Sequence, residues 1–376
     1  MKFLKALAVF LGTIIGVGIF GLPFVAAKAG FFTVFVYFLI MAGIAIAMNI
    51  IYSEIVLGTK KLHRFPGYVQ EYLGIRWKKL TFVVTAFGLI GALLAYLIVG
   101  GQFLFAYFGP LLGGDIILYT LFFFVLGAYL VFRGVKSISS VELILLGIIL
   151  AILVLFFIKA FPFINLDNFK TFDPGYIFFP YGVVLFSLWG TSVIPEIKEM
   201  IDGSGFSLKK IIIVGIIMSV VIYLFFIYVV QGASAVVSND AISGLEKSVG
   251  SNMIRLGFLF GVITCFTSFI TLALTLKKVL WYDFGFNKNL SWFLTCFIPL
   301  GLFFMGLREF IEVISFTGAI ALGIEGTILI FLYKEFLIKN PPGGGSKKIN
   351  PLFYLLSGVF VLGIILEVFL FYAKLI

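Results

Sequence analysis

The sequence predicts an all-α polytopic membrane protein with eleven transmembrane helices. Of its 376 residues, 62% are hydrophobic and 12% are charged, and the mean hydropathy is +1.20. A water-soluble core does not need that much apolar surface, whereas uncharged runs of about 20 residues match the thickness of a bilayer. The predicted spans are 4–27, 32–57, 80–109, 114–132, 140–159, 176–197, 210–231, 253–276, 290–307, 310–333 and 351–374.

The first span has the outline of a secretory signal, because MKFLK precedes it and AAKAG ends it. Its apolar run is too long for such a signal and further spans follow, so we interpret it as a retained helix. The two cysteines, Cys265 and Cys296, both lie in apolar runs. Their spacing indicates neither a disulfide framework nor a metal site, and we expect no cofactor.

The distribution of positive charge predicts the orientation in the membrane. With a cytoplasmic N-terminus, most of the 27 Lys and Arg residues fall in cytoplasmic segments, six of them between residues 60 and 79. This arrangement obeys the positive-inside rule, and an odd number of spans then predicts that the C-terminus lies outside. We expect the membrane to be the plasma membrane. The net charge of +10 therefore requires no nucleic-acid partner, although the loop 58–79 can bind anionic lipid.

Glycine and proline interrupt two of the spans. The stretch GTIIGVGIFGLP (12–23) holds four glycines and a proline, and GVVLFSLWGTSVIPEIKE (182–199) has Gly190 five residues before a proline. Non-helical backbone at membrane depth is tolerated only where protein or water satisfies its polar groups, and glycine permits such a conformation. The alternative is an unbroken first helix that uses Gly12 and Gly16 for close packing. The matching interruption in the sixth span favours broken helices.

The interrupted spans would each open a block of five, and because five is odd the second block starts from the opposite side. That pattern is typical of inverted-repeat transporters, whose binding site lies at the breaks. We predict a ten-span core (1–338, repeats 1–160 and 174–338), a Pro/Gly-rich cytoplasmic linker (339–350) and an eleventh span (351–376). Helix N-termini attract anions and C-terminal carbonyls attract cations, so such a site can hold an α-amino acid.

Three stretches carry a family resemblance. GTIIGVGIFGLPFVAAKAG resembles the first span of the amino acid–polyamine–cation superfamily. CFTSFITLALTLKKVLWYDFG (265–285) and LLAYLIVGGQFL (93–104) resemble the eighth and third spans of its amino acid/auxin permease branch, nearest to the aromatic and hydroxy amino acid permeases. The resemblance implies secondary active symport of an amino acid with H⁺ or Na⁺ by alternating access, and no enzymatic activity.

The resemblance also implies which residues bind the substrate. It places the carboxylate-binding amides at Gly16, Val17 and Gly18 and the ammonium-binding carbonyl at Ile14. The other candidates, on the third and sixth spans, are Tyr96, Phe186, Ser187, Trp189 and Gly190. Ordinary helix packing is the alternative for Tyr96 and Phe186. No acidic residue lies near the first break, so we expect a substrate with a neutral side chain.

Hydroxyl side chains recur at helical spacing along one face of the eighth span. Sodium-coupled relatives bind Na⁺ between first-span carbonyls and hydroxyls of this span. The matching residues are Gly12, Ile15, Thr264, Thr267 and Ser268. The alternative is structural, because membrane Ser and Thr often bond back to their own helix or join helices together.

One carboxylate lies deep in a predicted span: Glu325, on the tenth. Intramembrane carboxylates are costly and functional by default, so Glu325 is our proton-carrier candidate, with a structural partnership as the alternative. The single histidine, His63, lies in a cytoplasmic loop, which excludes a histidine relay. We interpret Glu54 and Glu196, nearer the span ends, as inner-gate or capping groups.

Two other classes of protein were weighed. A membrane-embedded hydrolase is disfavoured, because the loop histidine cannot serve catalysis, and WYDFG and LLGGD match aspartyl protease motifs only partly and in reversed order. An amino-acid sensor or a channel-like protein on the same fold stays open as the alternative. The identity of the amino acid and the oligomeric state are not predicted.

Overall fold

A computed structural model describes residues 2–134, 139–170, 172–341 and 351–375. It is built from α-helices joined by short turns. In chain order the helices are α1 (Lys2–Ile14), α2 (Gly18–Ala29), α3 (Phe31–Gly58), α4 (Phe65–Leu73), α5 (Ile75–Leu112), α6 (Ile116–Arg133), α7 (Ser139–Ala160), α8 (Pro180–Leu188), α9 (Ile194–Ile201), α10 (Leu208–Ala233), α11 (Glu246–Val249), α12 (Ser251–Lys278), α13 (Lys288–Phe304), α14 (Phe310–Phe316), α15 (Gly323–Lys339) and α16 (Pro351–Leu375).

Each predicted span coincides with a helix or with a group of consecutive helices. Within the described residues, eight helices are long and apolar enough to cross a membrane, or nine if the bent pair of α1 and α2 is one span. The sixth predicted span consists of the short helices α8 and α9, and the ninth is the 17-residue α13. The total of eleven crossings therefore stays a prediction, and residues 342–350 of the predicted linker lie outside the described residues.

The predicted loop 58–79 contains a helix instead, α4, and α5 begins at Ile75 rather than at residue 80. Pro66 lies at the start of α4, where its missing amide proton costs nothing, and Gly74 ends the helix with φ +93°. One face of α4, including Tyr68, is buried against α5 and α15. This nine-residue helix is too short for a span, and it packs against α5 and α15 instead.

Both predicted breaks are present. The first, residues 15–17, separates α1 from α2, whose axes differ by 50°. The second, residues 189–193, separates α8 from α9: Trp189 is extended (φ −82°, ψ 112°) and a single 3₁₀ turn follows Gly190. Because α2 packs on α8, and α1 on both α9 and α10, the two breaks lie together in the interior of the bundle. The predicted architecture with unwound first and sixth spans is thus confirmed.

The tenth span is joined to the sixth by two glycines that bring the backbones into contact. Gly182 on α8 lies against the carbonyl of Ser315, and Gly318 lies against the carbonyl of Gly182, so a Cβ at either glycine would overlap backbone. Gly318 belongs to a wider π-helical turn, residues 317–322, between α14 and α15. Such turns shift the residues that follow and occur often at functional sites. Here the turn precedes Glu325.

The last helix, α16, packs along α15. A Cβ at Gly326 would lie 2.7 Å from the ring of Phe360, and that ring meets Trp189 edge to face at 6.1 Å between centroids. The eleventh span therefore contacts the second break through the ring of Phe360.

Candidate functional site

A cavity lies between the two breaks. It is bounded by α1 to α5, by α8, α12 and α15, and by the second break. The substrate-binding candidates that line it are Ile14, Gly16, Gly18, Tyr96, Phe186 and Trp189. Glu325 lines it as well, so residues distant in sequence converge on one space.

The other substrate candidates lie at the breaks behind the cavity wall. Val17 is fully buried within the first break. Ser187 packs against Gly18, and its hydroxyl donates to the carbonyl of Val183 at 2.7 Å. Gly190 lies against the ring of Phe10. The side chains of Val17 and Ser187 therefore lie behind the lining residues, and Val17 can reach the cavity only through its backbone.

The first break exposes backbone amides at the start of α2. The Gly16 amide donates to the Ile14 carbonyl at 2.8 Å, whereas the amides of Val17 and Gly18 donate to no acceptor in the described chain. Unpaired amides are expected at a helix N-terminus. Glycine is required at both positions because other side chains lie close to the backbone. A Cβ at Gly16 would overlap the Tyr96 hydroxyl, and one at Gly18 would overlap the Ser187 hydroxyl.

The second break is held by Glu325. Its Oε1 accepts a hydrogen bond from the Trp189 indole at 3.0 Å and one from the Thr191 hydroxyl at 2.9 Å. The side chain of Glu325 is 8% exposed. The carboxylate of the tenth span therefore bonds directly to the unwound part of the sixth, which shows a structural partnership and also places a titratable group at the cavity.

A tyrosine that the sequence analysis did not single out connects the two breaks. Tyr223, on α10, is 0% exposed. Its hydroxyl lies 2.6 Å from the carbonyl of Ile14 and 2.8 Å from that of Ser187. In a chain with 16 tyrosines and 48 phenylalanines, one more aromatic residue in an apolar helix gives no sequence signal.

The candidate ion ligands surround a second, much smaller cavity. It is lined by all five of them, Gly12, Ile15, Thr264, Thr267 and Ser268, together with aliphatic side chains of α7. The Ser268 hydroxyl donates to the Gly12 carbonyl at 3.2 Å, which joins α12 to the end of α1.

The remaining hydroxyls of this face bond mostly within α12. Thr267 lies 3.2 Å from the carbonyl of Ile263, and Thr275 donates to the carbonyl of Thr271 at 3.0 Å. Back-bonding to the preceding turn is the structural alternative for such residues. Both patterns therefore occur on one helix: Ser268 reaches the first span, and Thr275 does not.

The cavity ends differently on its two sides. On the side away from α4, the rings of Phe20, Phe103, Phe226 and Phe260 pack together, with centroids 4.8 to 6.4 Å from that of Phe20. On the side of α4, Arg64 lines the cavity and pairs with Glu196 of α9 at 2.9 Å. Aromatic packing thus lies beyond the lining residues on one side, and an ion pair lies at the lining on the other.

A second acidic side chain lies at the same end. Glu54, near the end of α3, pairs with Lys209 at 2.6 Å and accepts a hydrogen bond from Tyr333 at 2.5 Å. It thereby links α3, α10 and α15. The two glutamates that we interpreted as inner-gate or capping groups both join separate helices at this end of the bundle.

Some cavity residues were missed by sequence reasoning. Thr191 and Ser192 line the wall and follow Gly190 in the WGTS motif, so that motif could have identified them. Tyr52 and Arg64 line it too, but neither belongs to an interrupted span. Only the packing of α3 and α4 brings them to the cavity.

The fold is that of solved transporters. The chain is similar to MhsT, solved in complex with L-phenylalanine (TM-score 0.69, 15% identity, covering 97% of this chain and 98% of that one). It is also similar to Mhp1, a nucleobase-cation-symport-1 family transporter, solved closed with bromovinylhydantoin bound (TM-score 0.71, 14% identity, covering 98% and 90%). The helices and the two breaks therefore have the LeuT fold of these structures.

Residues 1–373 match the tryptophan/tyrosine permease family, and the chain belongs to that family. It is similar to the tyrosine-specific transport system 1 of Haemophilus influenzae, with 24% identity over 281 residues, which is 71% of this chain and 70% of that protein. The protein is therefore a multi-pass membrane transporter that belongs to a family of aromatic amino acid permeases, and it is not an enzyme. The superfamily resemblance holds, whereas its amino acid/auxin branch stays a prediction.

Proposed function

We propose that this protein is an ion-coupled symporter for a neutral aromatic amino acid and that it works by alternating access around the two breaks. The observation that carries the proposal is the cavity between those breaks. It combines unpaired amides, helix-terminal carbonyls and aromatic walls in one space, and these are the groups that a zwitterion with an aromatic side chain requires.

The charged ends of the substrate fit the first break. The amides of Val17 and Gly18 begin α2, where the helix dipole favours an anion, so we assign the substrate carboxylate to them. The Ile14 carbonyl ends α1, where the dipole favours a cation, so we assign the ammonium group to it as a charge–dipole contact beside the bonds from Gly16 and Tyr223. The Gly16 amide, already bonded to Ile14, contributes by shaping the turn between the two.

The side chain of the substrate fits the rest of the wall. Tyr96, Phe186 and Trp189 line the cavity, and Tyr52 and Phe65 continue it toward α4. Aromatic rings gain from edge-to-face and offset contacts beyond the area they bury. The membership in a tryptophan/tyrosine permease family supports the same class of substrate.

Proton coupling would run through Glu325. As a carboxylate it accepts two hydrogen bonds from the second break, and hydrogen bonds to a charged acceptor are stronger than those to a neutral one. Uptake of a proton would weaken its hold on Trp189 and Thr191. The protonation state would thereby be linked to the geometry of the substrate cavity.

Sodium coupling would run through the smaller cavity. Carbonyl and hydroxyl oxygens without net charge surround it, a ligand set suited to a monovalent cation. A threonine that donates its proton to its own helix keeps lone pairs on its oxygen, so the back-bonds within α12 are compatible with ion binding. The two routes make different predictions and are separated by experiment.

The two ends of the cavity supply the gates of alternating access. The positive-inside rule places α4 and the N-terminus in the cytoplasm and the C-terminus outside. The layer around Phe20 then closes the outer side, and the pair Arg64–Glu196 guards the inner side. We propose that opening inward requires α9 and α4 to separate and that pair to break.

Uptake into proteoliposomes tests the proposal. The purified protein is given labelled tyrosine, tryptophan, phenylalanine, leucine or lysine under separately imposed Na⁺ and H⁺ gradients. We expect concentrative uptake of aromatic amino acids with one of the gradients and none of lysine. Flux that stops at equilibrium would indicate a channel, and saturable binding without flux would indicate a sensor.

A further inference from the structure

Tyr223 holds the two breaks together. Its hydroxyl lies within 2.8 Å of two carbonyls, one at the end of α1 and the other in the last turn of α8. Both are helix C-termini, which carry partial negative charge and would repel each other across a dry interior. The hydroxyl is the donor that the structure places between them.

The two carbonyls differ in their other partners. Ile14 also accepts a hydrogen bond from the Gly16 amide, whereas Ser187, within the described chain, accepts no second one from the backbone. A phenol has a single proton, so the two carbonyls share it in one three-centre hydrogen bond. Without that proton, the Ser187 carbonyl is left unpaired at membrane depth, which is costly.

Tyr223 is not itself part of the cavity wall. It lies behind it on α10, fully buried, with its ring 5.7 Å from that of Phe38. Of the two residues whose carbonyls it contacts, only Ile14 lines the cavity, so an effect on the amino group of the substrate passes through Ile14. Tyr223 is a positioning residue.

We propose that the Tyr223 hydroxyl sets the distance between the two breaks and orients the Ile14 carbonyl toward the amino group of the substrate. The second half of this inference rests on the proposed function, and the first half does not. A single phenolic proton then couples α1 to α8, so the unwound segments move together.

The first test uses the protein without substrate. Tyr223→Phe removes the hydroxyl and keeps the ring. Tyr119→Phe is the matched control, because the Tyr119 hydroxyl also donates to a backbone carbonyl, that of Gly113 at 2.7 Å, far from the breaks. We expect hydrogen–deuterium exchange in segments 12–20 and 186–194 to become at least several-fold faster in Tyr223→Phe only. Unchanged exchange, or faster exchange in one segment alone, would overturn the link.

The second test uses two ligands that differ in the amino group. Binding of L-tyrosine is compared with binding of 3-(4-hydroxyphenyl)propanoate, which lacks it. We expect Tyr223→Phe to weaken L-tyrosine about ten-fold and the propanoate less than two-fold, with Tyr119→Phe changing neither. Equal weakening of both ligands, or of neither, would overturn the positioning role. If the unaltered protein binds no aromatic amino acid, the proposed function and this second half fail, while the exchange experiment still decides the first.

Discussion

Replacement of Glu325 by glutamine separates the two roles of this side chain. Glutamine has the same shape and keeps an acceptor oxygen for Trp189 and Thr191, but it cannot exchange a proton in the physiological range. Alanine would be a poor choice. Its introduction would remove two hydrogen bonds to a charged group, at about 1.5–3 kcal/mol each, out of a total stability of about 5–15 kcal/mol.

The expected effect on transport follows from the driving force. One elementary charge that crosses 100 mV is worth about 2.3 kcal/mol, and about 1.4 kcal/mol is a factor of ten. A one-proton symporter can therefore accumulate its substrate about 50-fold from the potential alone. If Glu325 carries the proton, Glu325→Gln should bind substrate, exchange it across the membrane and accumulate none.

The assay is uptake of labelled aromatic amino acid into proteoliposomes without Na⁺, at a fixed potential and pH gradient. Glu367→Gln is the control, since Glu367 is another carboxylate of the described bundle with a hydroxyl partner, Ser315 at 2.8 Å, away from the breaks. Accumulation by Glu325→Gln equal to that of the unaltered protein would refute the proton-carrier role and leave Glu325 as a structural partner.

Three further changes test neighbouring parts of the account. Gly18→Ala should weaken substrate binding at least ten-fold, because the new methyl group would overlap Ser187. Gly43→Ala is the control and should bind normally, because a Cβ there meets nothing within 4 Å. Equal affinities of the two variants would show that the close contact between Gly18 and Ser187 is not needed for binding. Ser268→Ala should raise the Na⁺ concentration for half-maximal uptake about ten-fold, and an unchanged Na⁺ response would exclude the smaller cavity as the ion site. Arg64→Ala leaves Glu196, within the described residues, with only Lys278 as an ion-pair partner, 3.9 Å away, so exchange rates should change. Arg64→Lys, which keeps a cation at this position, should preserve them; exchange by Arg64→Ala equal to that of the unaltered protein would argue against an inner gate.

The breaks could be predicted from the sequence because the physics behind them is local. Backbone at membrane depth has few ways to satisfy its polar groups, so glycine and proline inside an apolar run already indicate an unwound segment. The repetition of that signal in the first and sixth spans indicated the architecture. Glu325 was identifiable for the same kind of reason, since a carboxylate in an apolar span requires an explanation.

The partners of these residues could not be predicted, because they depend on how helices pack. Glu325 and Thr191 are 134 positions apart, and the sequence of neither segment indicates that the other is its partner. The same holds for Arg64 and Glu196, which meet only because a helix, α4, forms in what the sequence indicated as a loop. Tyr223 gave no signal at all, since its role comes from one hydroxyl among many aromatic rings.

The glycines illustrate a prediction that the structure refines. The sequence allowed either a broken helix or a close-packing face, and Gly16 serves both purposes. It lies within the break, and the Tyr96 hydroxyl occupies the space that a side chain at this position would need. Its amide, expected to bind the substrate carboxylate, instead donates to Ile14 at 2.8 Å. In the proposed site, the free donors of the first break are therefore the amides of Val17 and Gly18.

A structure of the protein with L-tyrosine bound tests the central claim most directly. The account predicts the ligand in the cavity between the breaks, with its carboxylate on the amides of Val17 and Gly18, its ammonium group near the Ile14 carbonyl and its ring among Tyr96, Phe186 and Trp189. A ligand bound elsewhere, or continuous helix through residues 15–17 and 189–193 in the complex, would contradict it.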